Sequence, residues 1–198
     1  MSNFNLINVK QYENIFPEEI AEKIYNKFIN ETDWNKIDQV REKHYSHVFK
    51  NSSEYLPDED EEYLSRFWRS EKLSNDKEIK TFLDLYIIKK IEIDYKRKVS
   101  NIDVRCHYFD TGDYFRIHFD SYAGSLAVTI NLSKNWKWDW GGVLCVPYGE
   151  NYKNMSCFFP KWNSMNILDN GIDFSPHFVT PIQSFAKNKR YTITLFIT

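Results

Sequence analysis

The spacing of apolar residues changes near Ser100 and divides the chain into two parts. In the first part apolar positions recur at helical intervals. Ile20, Ile24 and Phe28 follow Phe16-Pro17-Glu18-Glu19, and a proline with acids in the first turn marks a helix start. A second helix is predicted from Pro57, behind the acidic run Asp58 to Glu62, with Tyr63, Leu64, Phe67 and Trp68 on its buried side. That run reads as the solvated N-terminus of this helix rather than an interaction patch. A third helix is predicted from Asn75-Asp76 through Ile79, Phe82, Leu83, Tyr86 and Ile87, and Tyr45 to Phe49 is predicted as a strand.

After Ser100 the period shortens to two, the spacing of strands. Ile102 to Phe109 alternates, Thr111-Gly112-Asp113 makes a turn, and Tyr114 to His118 resumes. Further strands are predicted at Leu126 to Leu132, Gly142 to Val146, Ser164 to Leu168, His177 to Thr180 and Tyr191 to Ile197. Many short strands separated by Gly, Asn, Asp and Pro predict a mainly β (α+β) fold, a jelly roll of two facing sheets with helices outside. The 198 residues are expected to form one domain, with 1–100 a mainly helical flanking segment and 101–198 the jelly-roll core.

Composition narrows the function. A formal charge of -2 and the lack of a basic stripe argue against a nucleic-acid partner. No apolar run is long enough to span a membrane, and the first ten residues lack the features of a signal peptide. Three cysteines, Cys106, Cys145 and Cys157, without CxxC spacing suggest neither a disulfide framework nor structural zinc. A cytoplasmic location is expected.

The candidate chemistry lies in Tyr114-Phe-Arg-Ile-His118-Phe-Asp120. His118 and Asp120, two apart on an extended segment, face the same side. With His177 from a distant strand they make two imidazoles and a carboxylate, a set that can take one face of an octahedral iron(II) and leave positions open. Arg190 begins the last strand, and directed inward it would grip a carboxylate bidentately. Trp136, Trp138 and Trp140 could stack on a peptide, but packing is the expected role. His44, His47 and His107 are expected to be structural or exposed, with His107 facing away from the metal. Phe115, Arg116, Ser121 and Tyr122 should lie near the mouth, and Tyr45 to Tyr55 could cover it.

From Ile102 to Thr198 the chain resembles the iron(II)/2-oxoglutarate-dependent dioxygenases, in particular their prolyl 4-hydroxylase-like branch. The resemblance rests on Tyr108, Gly112, His118-Phe-Asp120, Trp140-Gly-Gly-Val-Leu144, His177 and Arg190-Tyr-Thr192, in that order. It implies a double-stranded β-helix with His118, Asp120 and His177 as iron ligands. It also implies Arg190 on the distal carboxylate of 2-oxoglutarate, Thr192 as a second contact and Tyr108 as a further cosubstrate residue. Asn131 stands where some relatives carry another tyrosine and is a further candidate. The implied activity is hydroxylation of an unactivated C–H bond of a prolyl residue or another amino-acid or peptide substrate. It is coupled to O2 consumption and decarboxylation of 2-oxoglutarate to succinate, with ascorbate as reductant. Retention of Asp120, where related halogenases have a small residue, favours hydroxylation. The competing reading is a non-redox, cupin-like metal-binding jelly roll, which has no need of an inward Arg190.

Overall fold

The computed structural model describes residues 9–40, 63–118, 120, 125–149, 153–170 and 176–198. The expected strand at Tyr45 to Phe49, the possible cover from Tyr45 to Tyr55, His44, His47, Ser121 and Tyr122 lie outside the described residues.

Helix α1 (Glu18–Asn30) begins after Pro17, whose carbonyl accepts the N–H groups of Ile20 and Ala21. It buries Ala21, Ile24 and Phe28, the i, i+3, i+7 stripe that periodicity predicts. The short α2 (Glu71–Ser74) precedes a second long helical run, α3 (Lys77–Phe82), a π turn at Leu83–Ile88 and α4 (Lys89–Tyr95). Asp76 caps α3 by accepting from the backbone N–H groups of Glu78 and Ile79, at 2.9 and 3.0 Å. The run buries Ile79, Leu83, Ile87, Ile88 and Ile91 on one side.

The strands are β1 (Val9–Glu13), β2 (Asn35–Val40), β3 (Tyr63–Ser70), β4 (Ile102–Phe109), β5 (Tyr114–His118), β6 (Leu126–Asn131), β7 (Leu144–Tyr148), β8 (Asn154–Phe158), β9 (Ser164–Asp169), β10 (His177–Val179) and β11 (Arg190–Ile197). They pair antiparallel in the order β1-β9-β6-β11-β4-β3-β5-β10-β7-β8, with β2 on β3. The sheet folds over, so that Leu144 and Val146 of β7 pack on Ala127, Leu168 and Phe196 of the other half. This nearly closed antiparallel sandwich is the jelly-roll, double-stranded β-helix core.

Two expectations need correction. Tyr63 to Trp68 forms strand β3, not a helix. Within it Phe67 is buried against Phe109 while Trp68 stacks on Tyr108, so both sides of the strand are covered and alternation is hidden. The first hundred residues are also less helical than expected, because β1, β2 and β3 join the sheet.

The core lies between the helices and one face of the larger half-sheet. Cys106 of β4, Val128 and Ile130 of β6, Met165 and Ile167 of β9, and Ile193, Leu195 and Ile197 of β11 pack with Ile24, Phe28, Ile79, Leu83, Ile87 and Ile91. Each such aliphatic side chain contributes roughly 1.5–3 kcal/mol by leaving water. The opposite face of the same strands carries the site.

Candidate active site

Strand register brings the first three groups together. His177 of β10 lies directly across from His118 of β5, with ring centroids 4.2 Å apart. Asp120, just beyond β5, places one carboxylate oxygen 3.6 Å from His118 Nε2 and the other 3.1 Å from His177 Nε2. The three ligand atoms lie within 4.8 Å of one another, and all three residues are buried. His118 Nδ1 lies 2.7 Å from the Arg116 carbonyl. A carbonyl can only accept, so Nδ1 carries the proton and Nε2 presents its lone pair to the cluster. Phe115 stacks on the His118 ring at 3.9 Å and fixes its plane.

Burial sets the charge state. It pushes the His118 pKa down to about 4, with His177 adding to the shift. For Asp120 burial acts upward, but His177 and then His118 hold the carboxyl below its usual range. A neutral His118 imidazole beside an ionised Asp120 carboxylate is the state in which these two residues can ligate a divalent metal.

The larger half-sheet forms the floor of the pocket. Its inward face reads, across neighbouring strands, Arg69, His107, Thr192, Asn131 and Ser164. The adjacent row reads Arg105, Thr194, Thr129 and Asn166. Arg190 begins the same face of β11 opposite Phe109 and is 1% exposed. Its Nη2 donates to Asn131 Oδ1 at 3.3 Å, and its guanidinium carbon lies 5.2 Å from the Phe109 ring centre. Among the described residues it has no carboxylate partner, and burial lowers its pKa to about 9. Arg190 Nε, Thr192 Oγ1, His107 Nδ1 and both amide atoms of Asn166 are buried without a hydrogen-bond partner among the described residues. Such a cluster is uncommon in a finished core and marks a cradle for a polar ligand. His118, Asp120, His177, Arg190, His107, Arg69 and Arg105 line this one pocket.

The Trp140-Gly-Gly-Val-Leu144 segment makes room for Arg190. A Cβ on Gly142, whose φ is +66°, would meet Arg190 Cδ at 2.7 Å and Ile182 Cδ1 at 2.8 Å. Trp136 and Trp140 are buried with Phe67, Phe109 and Ile182, as packing requires, while Trp138 is exposed against Phe159.

Not every expected residue reaches the pocket. Tyr108 does not line it: it lies on the helix side of β4, stacked on Trp68 and edge-on to Trp34. His107, expected to face away, is the residue of that pair that lines the pocket, where its Nε2 is 3.2 Å from Thr194 Oγ1. Alternation holds in β4, but its parity is the reverse of the one expected. Asn131 and Thr192 do not line the pocket; Asn131 holds Arg190, and Thr192 lies beside both on the inward face. Arg69 and Arg105 were not candidates from sequence. Their signal is that Asp103, Arg105 and His107 alternate with Ile102, Val104, Cys106 and Tyr108, so the polar parity of β4 faces the pocket.

Residues 104–198 match the family model of the 2OG-Fe(II) oxygenase superfamily. No curated protein matches the sequence. Among solved structures, a prolyl-4-hydroxylase from Pseudomonas putida aligns with a TM-score of 0.66 at 12% identity, over 98% of this chain and 94% of that one. A Trichoplax adhaerens prolyl hydroxylase, solved with a hypoxia-inducible-factor peptide fragment, aligns with a TM-score of 0.66 at 13% identity, over 98% and 84%. The viral collagen prolyl hydroxylase of Paramecium Bursaria Chlorella virus-1, solved with 2OG, aligns with a TM-score of 0.55 at 11% identity, over 99% and 98%. Among the described residues no helix is long and apolar enough to cross a membrane. Residues 104–198 are thus similar to the 2OG-Fe(II) oxygenase superfamily, and the chain shares its fold with solved prolyl hydroxylases.

Proposed function

We propose that this protein is a 2-oxoglutarate-dependent dioxygenase that hydroxylates an unactivated C–H bond of a prolyl residue or other amino-acid or peptide substrate. The observation that carries the reading is Arg190, a fully buried guanidinium without an acidic partner among the described residues, in the same pocket as His118, Asp120 and His177. A buried cation without a counter-charge costs several kcal/mol, and a bound carboxylate offsets that cost. A non-redox metal module gains nothing from it.

In this reading His118, His177 and Asp120 would hold Fe(II). Arg190, steadied by Asn131, takes the distal carboxylate of 2-oxoglutarate. When bound, the metal would supply O2 activation coupled to decarboxylation of the cosubstrate to succinate, with ascorbate as reductant. The protein's part is placement. The Arg116 carbonyl and the Phe115 ring fix His118, Gly142 lets the Arg190 stem pass, and Leu144, Val179 and Phe196 line the pocket with apolar surface. Prolyl hydroxylases among the solved structures sharing this fold support an amino-acid or peptide substrate. Incubation with Fe(II), ascorbate, 2-oxoglutarate and proline-containing peptides or free amino acids tests the reading. Succinate formed in step with a product heavier by one oxygen is the expected result. Absence of Fe(II)-dependent succinate under every condition contradicts it.

A further inference from the structure

Arg190 answers one carboxylate; two other arginines in the pocket have no such role. Arg69 of β3 and Arg105 of β4 flank His107 on the inward face, Arg69 across the strand and Arg105 two residues along. Arg69 Nε is buried without a hydrogen-bond partner among the described residues. Among the described residues the one carboxylate within 4.0 Å of its guanidinium is that of Glu71, at 4.0 Å and exposed. Arg105 is held by Asp103 through Nε and Nη2, at 2.8 and 2.7 Å, which leaves Nη1 uncommitted among the described residues. Half-exposed pairs of this kind are weak and give way to a better-placed anion.

The described lining of the pocket carries three guanidiniums and a single carboxylate, Asp120, in a chain whose overall charge is -2. A divalent metal, Asp120, a dianionic cosubstrate and Arg190 cancel one another. Arg69 and Arg105 remain. Their side chains are 24% and 34% exposed, whereas Arg190 is sealed, so the two stand nearer solvent than the cosubstrate cation. Burial, and then the repulsion of Arg105, lower the Arg69 pKa, and the field of Arg105 reaches Asp120.

We propose that Arg69 and Arg105 form a second anion subsite that holds the carboxylate of the substrate, which is a small free carboxylic acid of amino-acid size. The proposal rests on the dioxygenase reading. A free amino acid carries its carboxylate within a few bonds of every C–H it has, so a cation pair beside the triad fixes both ends of such a molecule. A residue inside a peptide offers no charge there. Two adjacent guanidiniums bind a carboxylate by paired N–H donors, which lysine does not reproduce.

The test uses the full chain loaded anaerobically with Fe(II) and 2-oxoglutarate. The probes are the L-amino acids and aliphatic acids of up to about six carbons, their amides, and peptides with internal proline, with or without a neighbouring Asp or Glu. Binding is read as a shift of the visible Fe(II)–2-oxoglutarate band and turnover as succinate. The expected result is a response to one or more free acids, none to the matching amide, and a Kd raised about tenfold or more by Arg69→Met and by Arg105→Met. The affinity for 2-oxoglutarate stays within about threefold in both variants. Equal response to acid and amide, response only to peptides with or without an acidic neighbour, no response to any free acid, or unchanged Kd in both variants overturns the proposal. A band that never forms in the parent protein is a failure of the dioxygenase reading instead.

Discussion

The two faces of one sheet, formed by β4, β11, β6 and β9, are built to opposite rules. Toward the helices the positions are Cys106, Ile193, Leu195, Val128, Ile130, Met165 and Ile167, closed over by aliphatic side chains. On the opposite face the intervening positions are Arg105, His107, Arg190, Thr192, Thr194, Thr129, Asn131 and Asn166, several of them with buried polar atoms that have no partner among the described residues. One backbone ladder supports both. The apolar face stabilises the fold, and the polar face accepts a cost that a bound ligand offsets. Substitutions on the two faces are therefore expected to separate stability from ligand binding.

The largest separation is expected at the triad. Asp120→Ala should weaken Fe(II) binding by more than about 100-fold, read by anaerobic metal titration, while the metal-free thermal midpoint hardly moves. On the helix face, Ile193→Ala should cost about 2–5 kcal/mol in denaturant unfolding and leave the 2-oxoglutarate Kd of the folded protein within a factor of about two. Arg190→Met should do the reverse: the 2-oxoglutarate Kd rises about 100-fold, and the metal-free protein is as stable as the parent or more so. A large loss of stability in that variant would show that the guanidinium has a structural partner.

Acidification gives a smaller effect. Burial holds His107 well below 6.5 and His118 at about 4, so the unfolded chain takes up protons before the folded one does. For such depressed bases stability is full above the unfolded pKa and falls as pH drops below about 6.5. Metal-free unfolding free energies at pH 7.5 and 5.5 should differ in that sense, and His107→Gln should reduce the difference. The smallest contrast is Tyr108→Phe, expected to leave the 2-oxoglutarate Kd within a factor of about two because the ring lies outside the pocket.

How much of this was legible depends on what each residue's signal reports. The jelly-roll strands from β4 onward, except β8 (Asn154–Phe158), could be read because their inner and outer positions differ in polarity, as in Tyr191-Thr-Ile-Thr-Leu195. Strand β3 could not, since Phe67 and Trp68 are both covered and adjacent apolar residues imitate a helical stripe. The π turn at Leu83–Ile88 leaves no mark in the pattern beyond its apolar residues. His118, Asp120, His177 and Arg190 were chosen by residue type and order, and the fold lines all four along one pocket. Tyr108 rests on the resemblance alone, which does not report its parity in β4. Polarity decides such a case better than spacing: the polar half of β4 belongs to the pocket. Arg69 was invisible as long as its segment read as a helix.

The most direct measurement is an anaerobic titration of the metal-free protein with Fe(II) and then 2-oxoglutarate, followed through the visible charge-transfer band. The account predicts a band that requires 2-oxoglutarate, is not produced by succinate, is absent in His118→Ala and needs far more cosubstrate in Arg190→Met. Iron binding without any band would contradict it and leave a metal-binding jelly roll without oxygenase chemistry.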